Sequence, residues 1–388
     1  MTTESLQKYK VLLLSPFFYP NRGGVETCLN NLIEELCLMN IRTQVITFQP
    51  LSSNAEYLKF ERFGSVEISR LRKFKGKKVL WTEKSAFKLS LRITFDLFKH
   101  SFRFILKNRE FNTIIHAHGL QAGIVAFILR RIFQIRYVIS IHAHFAEYHI
   151  PKLARVMKIL YTKILMTSDV VLVNTLKMKT EFISLGVDSE KIIEHVQWNT
   201  LDFFKKGKPP VNRIKKVIFV GRLLREKGTR VIHQLALNFP EIEFTIVGDG
   251  FDFIFLQNSK TPNMKLAGAL DPGAIAELYF ENDLCLVPSL YEDAYPRVVT
   301  EAIGCQTPVI GTLRGGIPES MDQSVGWFVQ GTNEEDTVRE ISNILNRILS
   351  DPQELNFRIQ NCELWAEEHY SNKIFQKTLD AYLKASTA

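Results

Sequence analysis

Residues Pro288 to Ser320 read PSLYEDAYPRVVTEAIGCQTPVIGTLRGGIPES. The apolar run Leu284 to Val287 just before them is closed by Pro288 and Ser289, so it predicts a short buried strand. A helix is expected from Val298 to Ile303, then a strand over Pro308 to Ile310. That strand ends in Gly315-Gly316-Ile317-Pro318-Glu319, where two glycines allow positive φ and close backbone approach. Asp293 and Glu301 thus bracket a loop and the first turn of a helix. Free backbone N–H groups and the helix dipole favour an anionic ligand there, and carboxylates can accept from sugar hydroxyls. The plain alternative is a pair of surface acids on an ordinary crossover.

The same alternation extends in both directions. Tyr9 to Pro16 predicts a buried strand, Glu26 to Met39 repeats apolar residues at helical spacing, and Thr43 to Phe48 predicts another strand. Thr113 to Ala117, Tyr137 to Ile141, Val170 to Val173 and Ile192 to His195 continue as strands with helices between them, the signature of a parallel sheet covered on both faces. Lys205 to Lys216, with Pro209 and Pro210 among charges, reads as a linker. A second set of strands starts at Val217 to Gly221 and continues through Phe244 to Gly248 and Leu284 to Val287. The expectation is two α/β domains over 1–205 and 206–365, with a cleft between them, and a last helix within 366–388. At 388 residues and 46% hydrophobic content the chain can fill two sizeable cores.

Ligands of such sheets sit beyond the carboxyl ends of the strands. After the first strand comes FFYPNRGGVE, residues Phe17 to Glu26, in which Gly23 and Gly24 directly precede a helix and can present N–H groups to a phosphate. The competing reading is a tight turn. After the first strand of the second domain comes GRLLREKG, Gly221 to Gly228. Arg222 and Lys227 can converge there on one diphosphate, Arg as a fork and Lys as a point charge. Two fixed cations at a leaving diphosphate perform the task a divalent metal performs elsewhere, so no metal is expected. The alternative is two surface cations at a strand end.

Taken together these motifs resemble glycosyltransferase family 4, retaining enzymes of the GT-B fold. The 288–320 segment is similar to the family's acid-x7-acid region, with Asp293 and Glu301 as the pair and Asp standing where Glu is usual. Gly221 to Gly228 is similar to the family's GRL-x-x-EKG pattern, and Phe17 to Glu26 to its donor-phosphate loop. Gly248-Asp249-Gly250, Lys265 to Gly268 and the Asn199-x-x-Asp202 turn fall at the family's intervals, so the resemblance covers nearly the whole chain. It implies two doubly wound Rossmann-like domains facing a central cleft, with the C-terminal helix crossing back to the first. It implies transfer of a hexose or N-acetylhexosamine from a nucleotide diphosphate sugar, UDP ahead of GDP, to a lipid-linked or glycan acceptor. The implied catalytic residues are His142, Asp293, Arg222 and Lys227. Gly23, Gly24, Gly248, Gly268, Ala294, Tyr295, Pro296, Arg297 and Glu301 join Arg222, Lys227 and Asp293 at the donor, with His118 and Asn199 on the acceptor or sugar side.

His116-Ala117-His118 and His142-Ala143-His144 each put two imidazoles on one strand face. No acid or cysteine at ligand spacing accompanies them, which leaves a metal site, core histidines, or contacts to a sugar as readings. Cys28, Cys37, Cys285, Cys305 and Cys362 lie in apolar stretches without metal spacing and read as reduced, buried thiols.

Charge divides unevenly, +13 over residues 1–200 and −5 over 201–388. The densest basic part, residues 70–109, includes Arg70, Arg72, Lys73, Lys88, Arg92, Lys99 and Arg103 interleaved with Phe87, Leu91, Phe95, Phe98 and Phe102. Ser85 to Lys107 predicts an amphipathic helix with a basic face. It can lie on anionic lipid headgroups or be a solvated face on a core helix; no binding-fold signature supports nucleic acid as partner. Met1 to Lys10 is polar and no window of eighteen or more apolar residues occurs, so neither signal peptide nor membrane span is expected; Asp380 to Ala388 holds no hydrophobic tail, so transfer to phosphatidylinositol is not expected. The expected location is the cytoplasm, peripheral on the inner face of the membrane. Other functions of the same architecture are a nucleotide-sugar epimerase, or a non-catalytic membrane- or nucleic-acid-binding protein.

Overall fold

The computed structural model describes residues 3–21, 24–50, 57–72, 83–109, 111–142, 154–195, 199, 203–293 and 295–387. Two compact units emerge, residues 1–196 with 374–388, and residues 197–373.

The first unit is built on eight strands: β1 (Tyr9–Leu14), β2 (Thr43–Phe48), β3 (Phe60–Phe63), β4 (Val66–Leu71), β5 (Asn112–His118), β6 (Arg136–Ile141), β7 (Val170–Val173) and β8 (Ile192–Glu194), in the order β3-β4-β2-β1-β5-β6-β7-β8. All neighbours pair in parallel except β3 and β4. Continuous apolar runs suit a sheet buried on both faces, and β7 is one; β2 is buried at every residue as well, although it carries Thr43, Gln44 and Thr47. Leu12, Ile46, Ile115, Ile139 and Val171 form its core with inward residues of the helices Glu83–Lys107, Gly119–Phe133 and Ala154–Thr167. The C-terminal helix Phe375–Thr387 belongs to this unit and buries Leu379, Ala381, Tyr382 and Ala385.

The second unit carries six parallel strands: β9 (Lys216–Val220), β10 (Glu243–Val247), β11 (Met264–Gly268), β12 (Leu284–Val287), β13 (Val309–Thr312) and β14 (Gly326–Val329), in the order β11-β10-β9-β12-β13-β14. Each sheet reverses its winding once, between β1 and β5 in the first unit and between β9 and β12 in the second. That makes the carboxyl ends of these four strands the ligand-binding edges of a doubly wound fold.

The unit boundaries depart from those expected at 205/206 and 365/366 because buried contacts tie both flanks into the second unit. Lys205 N–H donates to the Gly304 carbonyl at 3.0 Å and Phe203 packs on Tyr279. The supposed linker is also anchored, Lys208 Nζ donating to Thr307 Oγ1 at 2.8 Å and to the Asn282 carbonyl. At the other flank the Asn199 N–H donates to the Tyr370 carbonyl at 2.9 Å, and the Tyr370 hydroxyl donates to the Ser320 carbonyl.

The β3–β4 hairpin is not foreshadowed by the sequence, in which Arg70 is the first cation of the densest basic part. Arg70 is in fact buried on β4. Its guanidinium meets Glu61 at 2.8 Å and donates to the Tyr19 carbonyl at 3.1 Å, so the charge is compensated inside the fold. Lys73 lies outside the described residues.

Candidate functional site

The loop after β9 begins at Gly221 and closes in a single 3-10 turn, Arg225–Lys227, capped by Gly228 at φ +84°. A Cβ on Gly228 would lie 2.2 Å from the Pro288 carbonyl oxygen, so glycine is what lets this loop nest against the end of β12. The contact brings Lys227 to Asp293. Their side chains form an ion pair, and the Lys227 ammonium also lies 5.4 Å from the centre of the Tyr291 ring. Arg222 is exposed at the end of β9 and forms no ion pair among the described residues.

Asp293 is held from its other side by the turn after β13. The Gly316 N–H donates to the Asp293 carbonyl at 2.6 Å, and the Gly315 N–H donates to Glu292 Oε2 at 3.0 Å. Glu292 is therefore a member of the site that acid spacing passes over, because spacing selects its neighbour; the only signal is that the two acids are adjacent.

The helix Arg297–Gly304 starts at Pro296 without a side-chain cap hydrogen bond, and the Val299 N–H donates to the Pro296 carbonyl at 3.1 Å. Arg297 Nε donates to Glu301 Oε1 at 3.2 Å, one helical turn on. Arg297 is buried and Glu301 is partly buried. Burial pushes the Glu301 carboxyl up, and the Arg297 guanidinium draws it back down. Tyr295 is buried between these elements with a hydroxyl that has no partner among the described residues, and burial raises its pKa. Ala294 lies outside the described residues.

Asn199, assigned to the acceptor or sugar side from the sequence, has a different position. Its Nδ2 donates to the Thr300 carbonyl at 2.6 Å and its Oδ1 accepts from the Thr300 hydroxyl at 2.9 Å. The carboxamide is buried and spent on the helix that carries Glu301, so it orients that helix and offers nothing outward. Gly248 is likewise a close-approach residue: a Cβ there would sit 1.9 Å from the Gly221 carbonyl oxygen, where β9 and β10 end side by side. Gly268 ends β11 at φ +68° with open space where its Cβ would be.

In the first unit the residues after β1 are fixed by Ser15 Oγ donating to the Phe17 carbonyl at 2.7 Å and by Asn21 Nδ2 donating to the Phe18 carbonyl at 3.0 Å. Gly24 opens the helix Gly24–Leu38; Gly23 and Asp202 lie outside the described residues. Across the winding reversal, β5 and β6 deliver three imidazoles. His118 Nδ1 meets His142 Nε2 at 3.0 Å, and His116 stacks beside His118 with ring centres 4.2 Å apart. Burial holds His142 down at about 4 and keeps all three rings neutral at pH 7. His144 lies outside the described residues. Among the described residues no cluster of three or more His, Cys, Asp or Glu could hold a metal ion.

Residues 22–193 match the family model described as Glycosyltransferase Family 4, and residues 202–361 match Glycosyl transferases group 1. Among curated proteins, a Homo sapiens component of phosphatidylinositol N-acetylglucosaminyltransferase is 24% identical over 82% of this chain and 64% of its own length. The GPI3 subunit of the same transferase from Saccharomyces cerevisiae is 24% identical over 88% of this chain and 76% of its own. The chain thus spans somewhat less than two thirds of the human relative. Among solved structures, sucrose-phosphate synthase of Thermosynechococcus elongatus superposes with a TM-score of 0.76 at 18% identity, covering 98% of this chain and 99% of that one. Anabaena HepE in complex with UDP-glucose gives 0.71 at 18%, covering 98% and 100%.

Proposed function

The chain belongs to glycosyltransferase family 4 and has the GT-B fold, and from that premise we propose that it moves a hexose or N-acetylhexosamine, with retention, from a UDP-sugar to a hydroxyl of a lipid-linked or glycan acceptor. The observation that carries this reading is the Lys227–Asp293 pair at the winding reversal of the second sheet, with the Arg297–Glu301 pair on the helix that follows.

Lys227 is a cation held in place before any ligand arrives. With Arg222 it would receive the charge that develops on the leaving diphosphate, and a preplaced charge needs no reorganisation at that moment. In this reading no metal is required for that task. Glu301 would accept from the ribose hydroxyls, oriented by Arg297. Asp293, with the backbone of residues 294–297, would hold the donor sugar, and His142 takes the sugar-side role that the family resemblance gives it. The acceptor hydroxyl would attack on the face the diphosphate leaves and give its proton to a phosphate oxygen. UDP is favoured as the carrier because Anabaena HepE is described with UDP-glucose and the curated relatives are components of an N-acetylglucosaminyltransferase.

A membrane-borne acceptor is supported by the helix Glu83–Lys107. Ile93, Leu97 and Ile105 face the core, while Leu91, Phe95 and Leu106 are exposed among Lys88, Arg92, Lys99, Arg103 and Lys107. Apolar residues seated in a basic face suit an anionic lipid surface.

A thermal-shift panel of UDP-, GDP- and ADP-sugars tests the donor. A UDP-sugar at 100 times its dissociation constant should add about 2.7 kcal/mol of stability. Product anomers read by NMR then test retention, and donor incubated alone must not epimerise. Stabilisation by none of the sugars would remove the donor reading.

A further inference from the structure

We infer that Tyr382, on the C-terminal helix, is a positioning residue for the His118–His142 imidazole pair. The inference rests on the sugar-side role given to His142 above.

The helix Phe375–Thr387 presents two buried hydroxyls one turn apart to the strand ends of the first sheet. The Tyr382 hydroxyl meets His116 Nδ1 at 2.7 Å, and Thr378 Oγ1 meets His195 Nε2 at 2.7 Å. His116 is engaged on both nitrogens, since its Nε2 meets Ser140 Oγ at 2.8 Å. A ring held at both nitrogens has neither a free rotation nor a free tautomer. The Tyr382 phenol keeps its proton, because burial raises its pKa, and so it donates to Nδ1; the single N–H of the neutral His116 ring then points from Nε2 to Ser140.

His116 in turn walls one side of His118. Their ring centres are 4.2 Å apart at 39°, and the rings of His118 and His142 run within 11° of one plane direction with Nδ1 and Nε2 3.0 Å apart. One proton lies between those two nitrogens. Because both rings are neutral, the two outer nitrogens, His118 Nε2 and His142 Nδ1, are always one N–H and one bare lone pair. Both outer nitrogens are buried without a partner among the described residues. Among the described residues the pair therefore holds one unused donor and one unused acceptor. Which end is which, and where the His142 ring stands, depend on the packing that Tyr382 fixes through His116. Ser140 strengthens the link, since it pairs directly with His118 across β5 and β6 and lies two residues before His142.

Ring 15N spectra of the full chain near neutral pH, together with hydrolysis of UDP-glucose and UDP-N-acetylglucosamine, test the assignment. Tyr382→Phe should shift the ring nitrogens of His116, His118 and His142. It should also lower kcat for UDP-sugar hydrolysis roughly ten- to a hundredfold at nearly constant KM, the scale of a reacting group displaced by a fraction of an ångström. Thr378→Val, a lesion of similar size on the same helix face, should move His195 alone. Unchanged His118 and His142 signals in Tyr382→Phe would overturn the inference, as would equal losses of kcat in both variants. Should Tyr382→Phe not fold, Ser140→Ala releases His116 from its other end and must produce the same shifts. A wild-type protein stabilised by no nucleotide sugar would defeat the donor reading alone, because the ring spectra would still decide whether Tyr382 positions the pair.

Discussion

Lys227 and Asp293 stand 66 residues apart in the chain and are joined in an ion pair where the winding of the second sheet reverses. The sequence reading gives them separate tasks, one at the diphosphate and the other at the sugar. Their contact means that each sets the other's position, so removing either changes two assignments at once.

Lys227→Ala should therefore raise the barrier to transfer by about 2–4 kcal/mol, the cost of losing one charge-stabilising donor. Asp293→Glu, which restores the residue usual in the family, should keep the pair and most of the activity. Steady-state turnover of a UDP-sugar checks both, and unchanged turnover in Lys227→Ala would sink the diphosphate assignment.

Asn199→Ala should destabilise the second unit by about 1–3 kcal/mol, since the Thr300 carbonyl and hydroxyl would lose buried partners. Urea denaturation measures this directly. A fully stable variant that had lost only acceptor affinity would return Asn199 to the acceptor side.

Gly315 stands at φ +54°, and a Cβ there would lie 2.1 Å from the Asp293 carbonyl oxygen. Gly186, in the first unit at φ +87°, has nothing within 4 Å. Gly186→Ala should cost only about 1–2 kcal/mol for the left-handed backbone, whereas Gly315→Ala should cost more and weaken donor binding as well. Equal melting temperatures for the two would show that the 315 turn does not brace Asp293.

The buried histidines make stability depend on pH. Folding lowers His142 from 6.5 to about 4 and His195 to about 3, so between pH 6.5 and 4 the unfolded chain binds protons that the folded chain refuses. Stability from these groups is complete above pH 6.5 and is lost as the pH falls toward 4, by up to about 1.4 kcal/mol per pH unit for each ring. Chemical denaturation from pH 7.5 down to about 4.5 should show that decline, and His195→Gln should flatten it. A slope identical in the variant would mean His195 is not kept neutral by the fold.

On the helix Glu83–Lys107, each of Lys88, Arg92, Lys99 and Arg103 should contribute about 1 kcal/mol to binding of anionic vesicles at low salt. Replacing all four with Gln should abolish flotation with anionic vesicles while leaving UDP-sugar hydrolysis intact. Equal binding of the native chain to anionic and neutral vesicles would remove the membrane reading.

Much of this architecture was legible because burial on both faces leaves a plain trace. Runs such as Leu284 to Val287 and Val170 to Val173 are apolar throughout, and each is closed by turn residues. The β3–β4 hairpin left no such trace: β3 is mostly exposed, and β4 hides Arg70 by pairing it with Glu61. Local polarity cannot reveal a charge that is compensated from another strand. The aromatics of the basic helix divide for the same reason, Phe98 and Phe102 turning inward while Phe95 faces out.

The sequence by itself determined two parallel α/β units, the cationic turn at Arg222 and Lys227, the acid pair Asp293 and Glu301, and the family to which they belong. Those features are local, written in spacing and in the glycines that sharp turns require. Tertiary structure decided partnership. It joined Lys227 to Asp293, brought Glu292 to Gly315, spent Asn199 on Thr300, and seated Tyr382 against His116 across 266 residues of chain. Such contacts depend on strand order and on which loops emerge at the same sheet edge, and nothing in a residue's immediate neighbours encodes that.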